Sequence, residues 1–474
     1  MDQHLTNDPK DLVLDSLKGL CTLNPNIALD EANKVVYLAQ RDPTNVSLIC
    51  GGGAGHEPAW AGYVGPGMLT AAVCGNVFAS PNASQVRQAI DLVHNDKGTL
   101  IIVKNYTGDI LNFGLAREQY AARHPEAAAK NLIRFVIVGD DVAVPEEQGG
   151  IVGRRGLAGT VLVAKLAGAL AARGASLDEV HALAQYVASS VSTVGVGLGH
   201  CHVPGTAAAE ASSAKGLEIG LGIHNEPGVE RISPVPPVRD LVRRVARMVV
   251  AGRASQPKHE SGEEVVLLVN NLGGMSELEM GGIAGEVANA FSVGYDGAEL
   301  ALEDTRGIKV SRLISGTFMT SLNMPGFSLT LLRLSQPPTP TDNSQQPQKY
   351  DSEMLLDLLD HPVVVPGWNW DVLQPPSASR NRGTHSANQD DSAEQQPSVG
   401  AKLAASDPDG FVNAVRAACE ALIVAEPELT RYDAIAGDGD CGLTLKVGSF
   451  FCCATHSAYM SPFSSIDRLA QRVS

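Results

Sequence analysis

The chain has 474 residues, 44% hydrophobic and 19% charged, with 36 basic against 52 acidic side chains and a net charge of −16. That composition supports folded cores rather than global disorder. The acidic balance argues against binding to a phosphate backbone or an anionic membrane surface.

Continuous apolar runs mark the strands in chain order. Val46–Cys50 runs into Gly51, Thr99–Val103 into Lys104, Phe135–Val138 into Gly139-Asp140, and Val265–Val269 into Asn270-Asn271. Runs of this kind are strands buried on both faces, as in α/β sheets. Helices are expected over Asp30–Arg41, Ser84–Asn95 and Gly156–Ala172. In such sheets ligands sit beyond the C-terminal ends of the strands, where the Gly and polar clusters fall here. After Leu334 two stretches rich in Pro, Ser, Gln and Asn read as linker. Between them MLLDLLDHPVVVPGWNW could dock as a short tethered segment. Asp407-Pro-Asp-Gly then opens a helix, with Phe411, Val415, Ala418 and Leu422 at helical spacing. These shifts divide the chain into 1–185, 186–335, 336–400 and 401–474.

The acidic N-terminus has no apolar core, so no signal peptide is expected. The small-apolar stretch Leu157–Ala172 is interrupted by Lys165 and is too short to span a bilayer. Eight cysteines form no CxxC pair and no disulfide framework. A reducing, cytoplasmic location is expected.

Four motifs carry candidate chemistry. The loop GGGAGHEPAWAG (Gly51–Gly62) lacks both the GK[ST] of a phosphate loop and the third Gly of a dinucleotide loop. A structural turn and a ligand loop both fit it, and His56-Glu57 at its end favour a site. KNYTGDILNFG sets Lys104 and Asp109 in one loop, where they either face a crevice or are solvated. GIHNEPG holds His224 in a Gly/Pro-flanked turn, as a nucleophile or base or as a bonded loop histidine. His200 and His202, in GHCHVPG, have no second pair at zinc-finger spacing and read as loop packing. YDAIAGDGDCG concentrates Asp433, Asp438 and Asp440 without a calcium-loop frame. Such a cluster suits Mg²⁺ carrying nucleotide phosphates, or is a solvated acidic turn.

Taken together, GGGAGHEPAWAGYVGPGMLTAAVCGNVFASP, KNYTGDILNFGLARE, DDVAVP, GRRGLAGTVLVAKLAGA, GLGHCHVPG, EIGLGIHNEPGVE, NNLGGMSELEM and GTFMTSLNMPGFSLTLL resemble the dihydroxyacetone kinase family. They keep the family's order across residues 50–332. YDAIAGDGDCGLTLKVG looks like the opening of the nucleotide-binding domain in the single-chain, ATP-using form. The resemblance implies a two-part α/β, DhaK-like substrate region (1–185 and 186–335), a linker (336–400), and an all-α, DhaL-like ATP barrel. Residues 401–474 would hold only the opening part of that barrel. Ala54, Trp60 and Pro66 stand where the family commonly has Ser, His and Lys.

Carried over by position, Gly53, Ala54, Gly55, His56, Lys104 and Asp109 would bind the substrate. His224 would form a covalent hemiaminal with its carbonyl carbon, while His56 and Asp109 assist proton transfer. Asp433, Asp438 and Asp440 would chelate Mg²⁺, and Asp438, Gly439, Asp440 and Cys441 would lie near the ATP phosphates. A hemiaminal selects dihydroxyacetone and short aldehydes such as glyceraldehyde over glycerol. The family also implies a homodimer. The leading expectation is ATP-dependent phosphorylation of dihydroxyacetone. The alternative is a dihydroxyacetone-binding protein without turnover. An FAD-cyclising lyase, known for some relatives, has only the Asp cluster in its favour.

Overall fold

The computed structural model describes residues 4–144, 153–206, 216–252, 263–291, 305, 307–334, 350–370 and 406–436, together with five scattered positions between 442 and 450. The chain divides into two compact units, Met1–Thr384 and His385–Ser474.

The first unit begins α1 (Leu12–Leu23), β1 (Ile27–Asp30), β2 (Val35–Leu38), β3 (Ser47–Ala54), β4 (Ala71–Val77), α2 (Ala83–Val93), β5 (Thr99–Lys104), α3 (Thr107–Arg123), α4 (Pro125–Ala129) and β6 (Ile133–Val138). Helices α5 (Gly159–Ala172) and α6 (Leu177–Ser190) lead into β7 (Val191–Gly197), β8 (Leu217–Ile219), β9 (Glu230–Ile232), α7 (Val238–Ala251) and β10 (Glu264–Asn271). Then follow α8 (Glu277–Ala290), β11 (Lys309–Gly316), β12 (Gly326–Arg333) and α9 (Ser352–Leu359).

Two six-stranded sheets result, ordered β1-β2-β4-β3-β5-β6 and β11-β10-β12-β7-β8-β9. In the first, β4, β3, β5 and β6 run parallel and β1-β2 is an antiparallel ribbon at the edge. The second is antiparallel except for β10 with β11. Helices α2 and α3 cover one face of the first sheet through Val86, Ile90, Phe113 and Ala116. Helices α7 and α8 cover one face of the second through Val242, Val249, Ile283 and Val287. Between the sheets, α5 and α6 share a core with Leu48, Ile102, Leu268 and Leu332. Helix α5 therefore meets apolar surface all round, which explains its uninterrupted small-apolar sequence.

Expected strands and most expected helices are present. Helix α2 starts on a capping box in which Asn82 accepts from Gln85 N and the Gln85 side chain accepts from Asn82 N. The expected helix over Asp30–Arg41 is absent. Those residues form the β1–β2 ribbon, with Ile27 opposite Leu38 and Asp30 opposite Val35. Asp30 accepts from Asn33 N and Nδ2 and closes the turn. Val35 and Val36 bury fully, so β-branched packing overrides the apparent helical spacing. The chain passes between the sheets at Ser190–Val191, a few residues beyond 185.

Within 336–400, residues 350–370 dock on the first unit, with Leu355, Leu358 and Leu359 of α9 fully buried. The second unit contributes α10 (Pro408–Ala436), opened by Asp407, whose Oδ1 accepts from Gly410 N at 2.9 Å. No helix among the described residues is long and apolar enough to cross a membrane.

Candidate active site

The chain leaves β3 for β4 on one side and returns as β5 on the other. The crevice beyond the β3 and β5 C-termini is thus a topological switch point. Lys104 ends β5, and His56 follows β3 by two residues. A Cβ on Gly53 would lie 2.7 Å from Ala79 N, and one on Gly55 would lie 2.7 Å from Phe78 Cε1. Gly55 also has φ +97°, which glycine adopts without strain. These glycines, with Ala54 accepting from Phe78 N at 2.9 Å, bring the Phe78 ring onto the site. It stacks on His56 and meets His224 edge-on, each at a centroid distance of 5.3 Å.

The two histidines, 168 residues apart in sequence, meet at 3.0 Å between their Nε2 atoms. His56 is fully buried, and its Nδ1–H donates to the Thr320 carbonyl at 2.8 Å. Burial, reinforced by Lys104 and His224, pushes the His56 imidazole well below its ordinary value. It is neutral, and its Nε2 lone pair points at His224. Behind His224, Nδ1–H donates to Glu226 Oε1 at 2.9 Å, and the His224 amide donates to Oε2 at 2.9 Å. Burial opposes ionisation of Glu226, yet bonding from His224 holds it down at about 2. Both Nδ1 atoms are thus committed as donors. The short contact between the Nε2 atoms is a hydrogen bond only if one proton lies between them. His224 is oriented by a carboxylate behind it and faces a base in front, the arrangement that activates a nucleophile.

Lys104 and Asp109 face the same crevice. Lys104 is fully buried, and its Nζ has no hydrogen-bond partner among the described residues. It sits 5.2 Å from the Tyr106 ring centroid. Burial lowers its pKa and the Asp109 carboxylate opposes that shift. Burial raises Asp109, while Lys104 and the hydroxyl of Ser80, which donates to Oδ1, pull it back. Tyr106 stands edge-on to His224 at 4.6 Å, and its buried hydroxyl also lacks a partner among the described residues. A buried cation and hydroxyl left without acceptors cost free energy, which a polyhydroxy ligand could recover.

Supporting residues fix the His224 turn. Asn225 has φ +64°, uncommon outside glycine. Its side chain accepts from Cys201 N at 3.0 Å and donates to the Cys201 carbonyl at 2.9 Å. Arg155 bonds Asp141 and the Gly220 carbonyl. Buried Asp140 accepts from Leu157 N, Gly159 N and Thr193 Oγ1, joining β6 to α5 and β7. His202 bonds the Thr206 carbonyl and stacks on His4, and His200 lies 3.8 Å from Glu218. Cys201, between them, reaches the His224 turn.

Of the residues singled out from sequence, the structure brings Gly53, Ala54, Gly55, His56, Lys104, Asp109 and His224 to one crevice. Asp438, Gly439, Asp440 and Cys441, and the side chain of Asp433, lie outside the described residues. Among the described residues no group of three His, Cys, Asp or Glu could hold a metal. Sequence reasoning missed Glu226, Thr320, Tyr106 and Phe78. Glu226, two residues after His224, and Tyr106, two residues after Lys104, carried a local signal.

The Dak1 domain model matches residues 18–363. Dihydroxyacetone kinase of Pichia angusta is 38% identical over 465 residues, 94% of this chain and 70% of its own length. This chain belongs to the dihydroxyacetone kinase family. Triokinase/FMN cyclase of Homo sapiens is 39% identical, over 91% of this chain and 68% of its own. The crystal structure of the dihydroxyacetone kinase from C. freundii in complex with AMP-PNP and Mg²⁺ aligns with a TM-score of 0.65 and 32% identity. That alignment covers 96% of this chain and 75% of that one. The α/β architecture described above is therefore that of a dihydroxyacetone kinase.

Proposed function

We propose that this chain is an ATP-dependent kinase of dihydroxyacetone, with glyceraldehyde as a second substrate, and that it holds the substrate as a hemiaminal on His224. The observation that carries this reading is the pair of Nε2 atoms at 3.0 Å with Glu226 behind His224. The shared proton moves to His56, leaving a lone pair on His224 Nε2. That nitrogen attacks the carbonyl carbon; a C–N bond forms and the C=O π bond opens. The alkoxide takes the proton from His56 Nε2 and becomes a hydroxyl. His224, now N-substituted and cationic, keeps its Nδ1–H on the Glu226 carboxylate. No proton or charge is lost in the exchange.

Lys104 Nζ donates to a substrate oxygen, and Asp109, raised by burial, accepts the proton of the hydroxyl to be phosphorylated. Covalent capture supplies affinity that so few ligand atoms could not reach through contacts alone. It also fixes the reacting hydroxyl in place. Asp433, Asp438 and Asp440 would hold Mg²⁺, with Gly439 and Cys441 beside the ATP phosphates, in an all-α, DhaL-like second unit. Mg²⁺ there would offset charge on the phosphoryl group. The reading takes the protein to act in the cytoplasm as a homodimer.

The test is an ATP-coupled assay on dihydroxyacetone with native mass spectrometry of the same preparation. Wild type should consume ATP and gain one substrate mass; His224→Ala should do neither. Mass gain without ATP consumption would leave a ketone-binding protein and refute the kinase reading. Mass gain retained in His224→Ala would refute the covalent role.

A further inference from the structure

Residues 350–370 lie across the back of the loop that carries His56. Helix α9 buries Leu355, Leu358 and Leu359 against the unit, and its C-terminal end meets Lys165 of α5. The Lys165 ammonium donates to the Leu358 carbonyl at 3.0 Å and to the His361 carbonyl at 2.9 Å. It also sits 5.7 Å from the Trp368 ring centroid. A cation on terminal helix carbonyls is a favourable cap. Lys165 is fully buried, however, and burial lowers it to about 7 despite the opposing Asp360 carboxylate. Asp360 is itself paired with Arg312.

Beyond the helix the segment touches both mounts of His56. Gly367 N donates to the Gly62 carbonyl at 2.8 Å, and a Cβ on Gly367 would lie 2.7 Å from Pro58 Cβ. A Cβ on Gly67 would lie 3.0 Å from the Pro362 carbonyl oxygen, so the loop and the segment pass at backbone distance. On the other side Trp368 packs on Phe318 at 5.4 Å. The Phe318 carbonyl accepts from Tyr63 Oη at 2.5 Å. Two residues on, Thr320 accepts from His56 Nδ1 and its amide donates to the His56 carbonyl at 3.2 Å.

We infer that residues 350–370 form a strap that sets the position of His56, with Lys165 and Trp368 as positioning residues for the proton transfer to His224. The inference rests on the reading of His56 given above, and its structural half is testable without any substrate. A segment that only covered apolar surface would need no buried cation. This one braces the 58–67 loop and the 318–320 turn from a single anchor, so releasing the anchor loosens both.

The experiment is hydrogen exchange by mass spectrometry on the full chain, with ketone capture measured on the same samples. Lys165→Met removes both hydrogen bonds while filling the site with an apolar chain of similar length, a replacement that buried charges often tolerate. Exchange should speed by about tenfold in 350–370, as expected when buried carbonyls lose their donor, and in 55–69 and 318–322 with it. Exchange in 264–271 should stay at the wild-type rate. The rate of ketone capture should fall by a similar factor, and Lys165→Arg should restore most of it. Asp351→Ala removes the N-cap that accepts from Met354 N. It should give the same pattern more weakly, and it serves where Lys165→Met fails to fold. Faster exchange in 350–370 with 55–69 unchanged would overturn the inference. Wild-type protein that captures no ketone would refute the functional reading instead, leaving the exchange coupling to decide the strap.

Discussion

Replacing Glu226 tests how His224 is made reactive. Its carboxylate accepts from the Nδ1–H and the main-chain N–H of His224, each at 2.9 Å. The Nδ1–H bond aims Nε2 at the substrate and is charge-assisted in the cationic adduct. A hydrogen bond to a charged partner contributes about 1.5–3 kcal/mol. Its loss should therefore weaken ketone capture by roughly 10- to 100-fold in Glu226→Ala, at about 1.4 kcal/mol per tenfold. Glu226→Gln keeps an acceptor without the charge and should fall between that variant and wild type. The depressed pKa gives a second readout. Glu226 sits at about 2 against an ordinary 4.5, so its contribution to stability is fully present above pH 4.5. It is lost as pH falls from 4.5 toward 2. Unfolding curves of wild type and Glu226→Gln should differ at neutral pH and converge at acid pH. The assay is calorimetric titration with dihydroxyacetone, paired with denaturant unfolding across pH. Unchanged affinity in Glu226→Ala would refute the view that a carboxylate orients His224.

Lys104 should show function and stability moving in opposite directions. Lys104→Met removes a buried ammonium without an acceptor among the described residues, so ketone capture should drop at least tenfold while the denaturant midpoint holds or rises. A lowered midpoint with capture intact would contradict this. Asn225→Ala forfeits both bonds to Cys201 at a left-handed position. It should cost about 1–3 kcal/mol in unfolding free energy, typical of a strained backbone position, and should weaken capture; Asn225→Gly should recover part of the stability.

The sheet was legible because β3, β5 and β10 are buried on both faces and read as unbroken apolar runs; β6 reads the same way but is an edge strand with Ile137 exposed, so there the expectation of two buried faces fails. Asp30–Arg41 misled because Val35, Val36, Tyr37 and Leu38 satisfy a helical spacing as easily as a strand. Pairing with Ile27–Asp30 on one side and with Ala71–Val73 on the other decides between them. Within the site, Lys104 ends β5 and His56 follows β3, where position in the fold follows from position in sequence; Asp109 lies not in the expected loop but in the first turn of α3. Thr320 and His56 are joined by a bond that spans 264 residues. No local pattern encodes such a contact. The strap is the intermediate case. Its apolar MLLDLL run stands out between polar stretches, but the carbonyls that Lys165 caps belong to the backbone and leave no trace in residue type.

A bond from His224 Nε2 to the substrate's carbonyl carbon makes that carbon tetrahedral. Carbon-13 NMR of protein saturated with dihydroxyacetone labelled at C2 tests it most directly. The bound C2 resonance should leave the ketone region for that of a tetrahedral carbon in wild type, with no such signal in His224→Ala. A bound C2 that remains in the ketone region at saturation would contradict it.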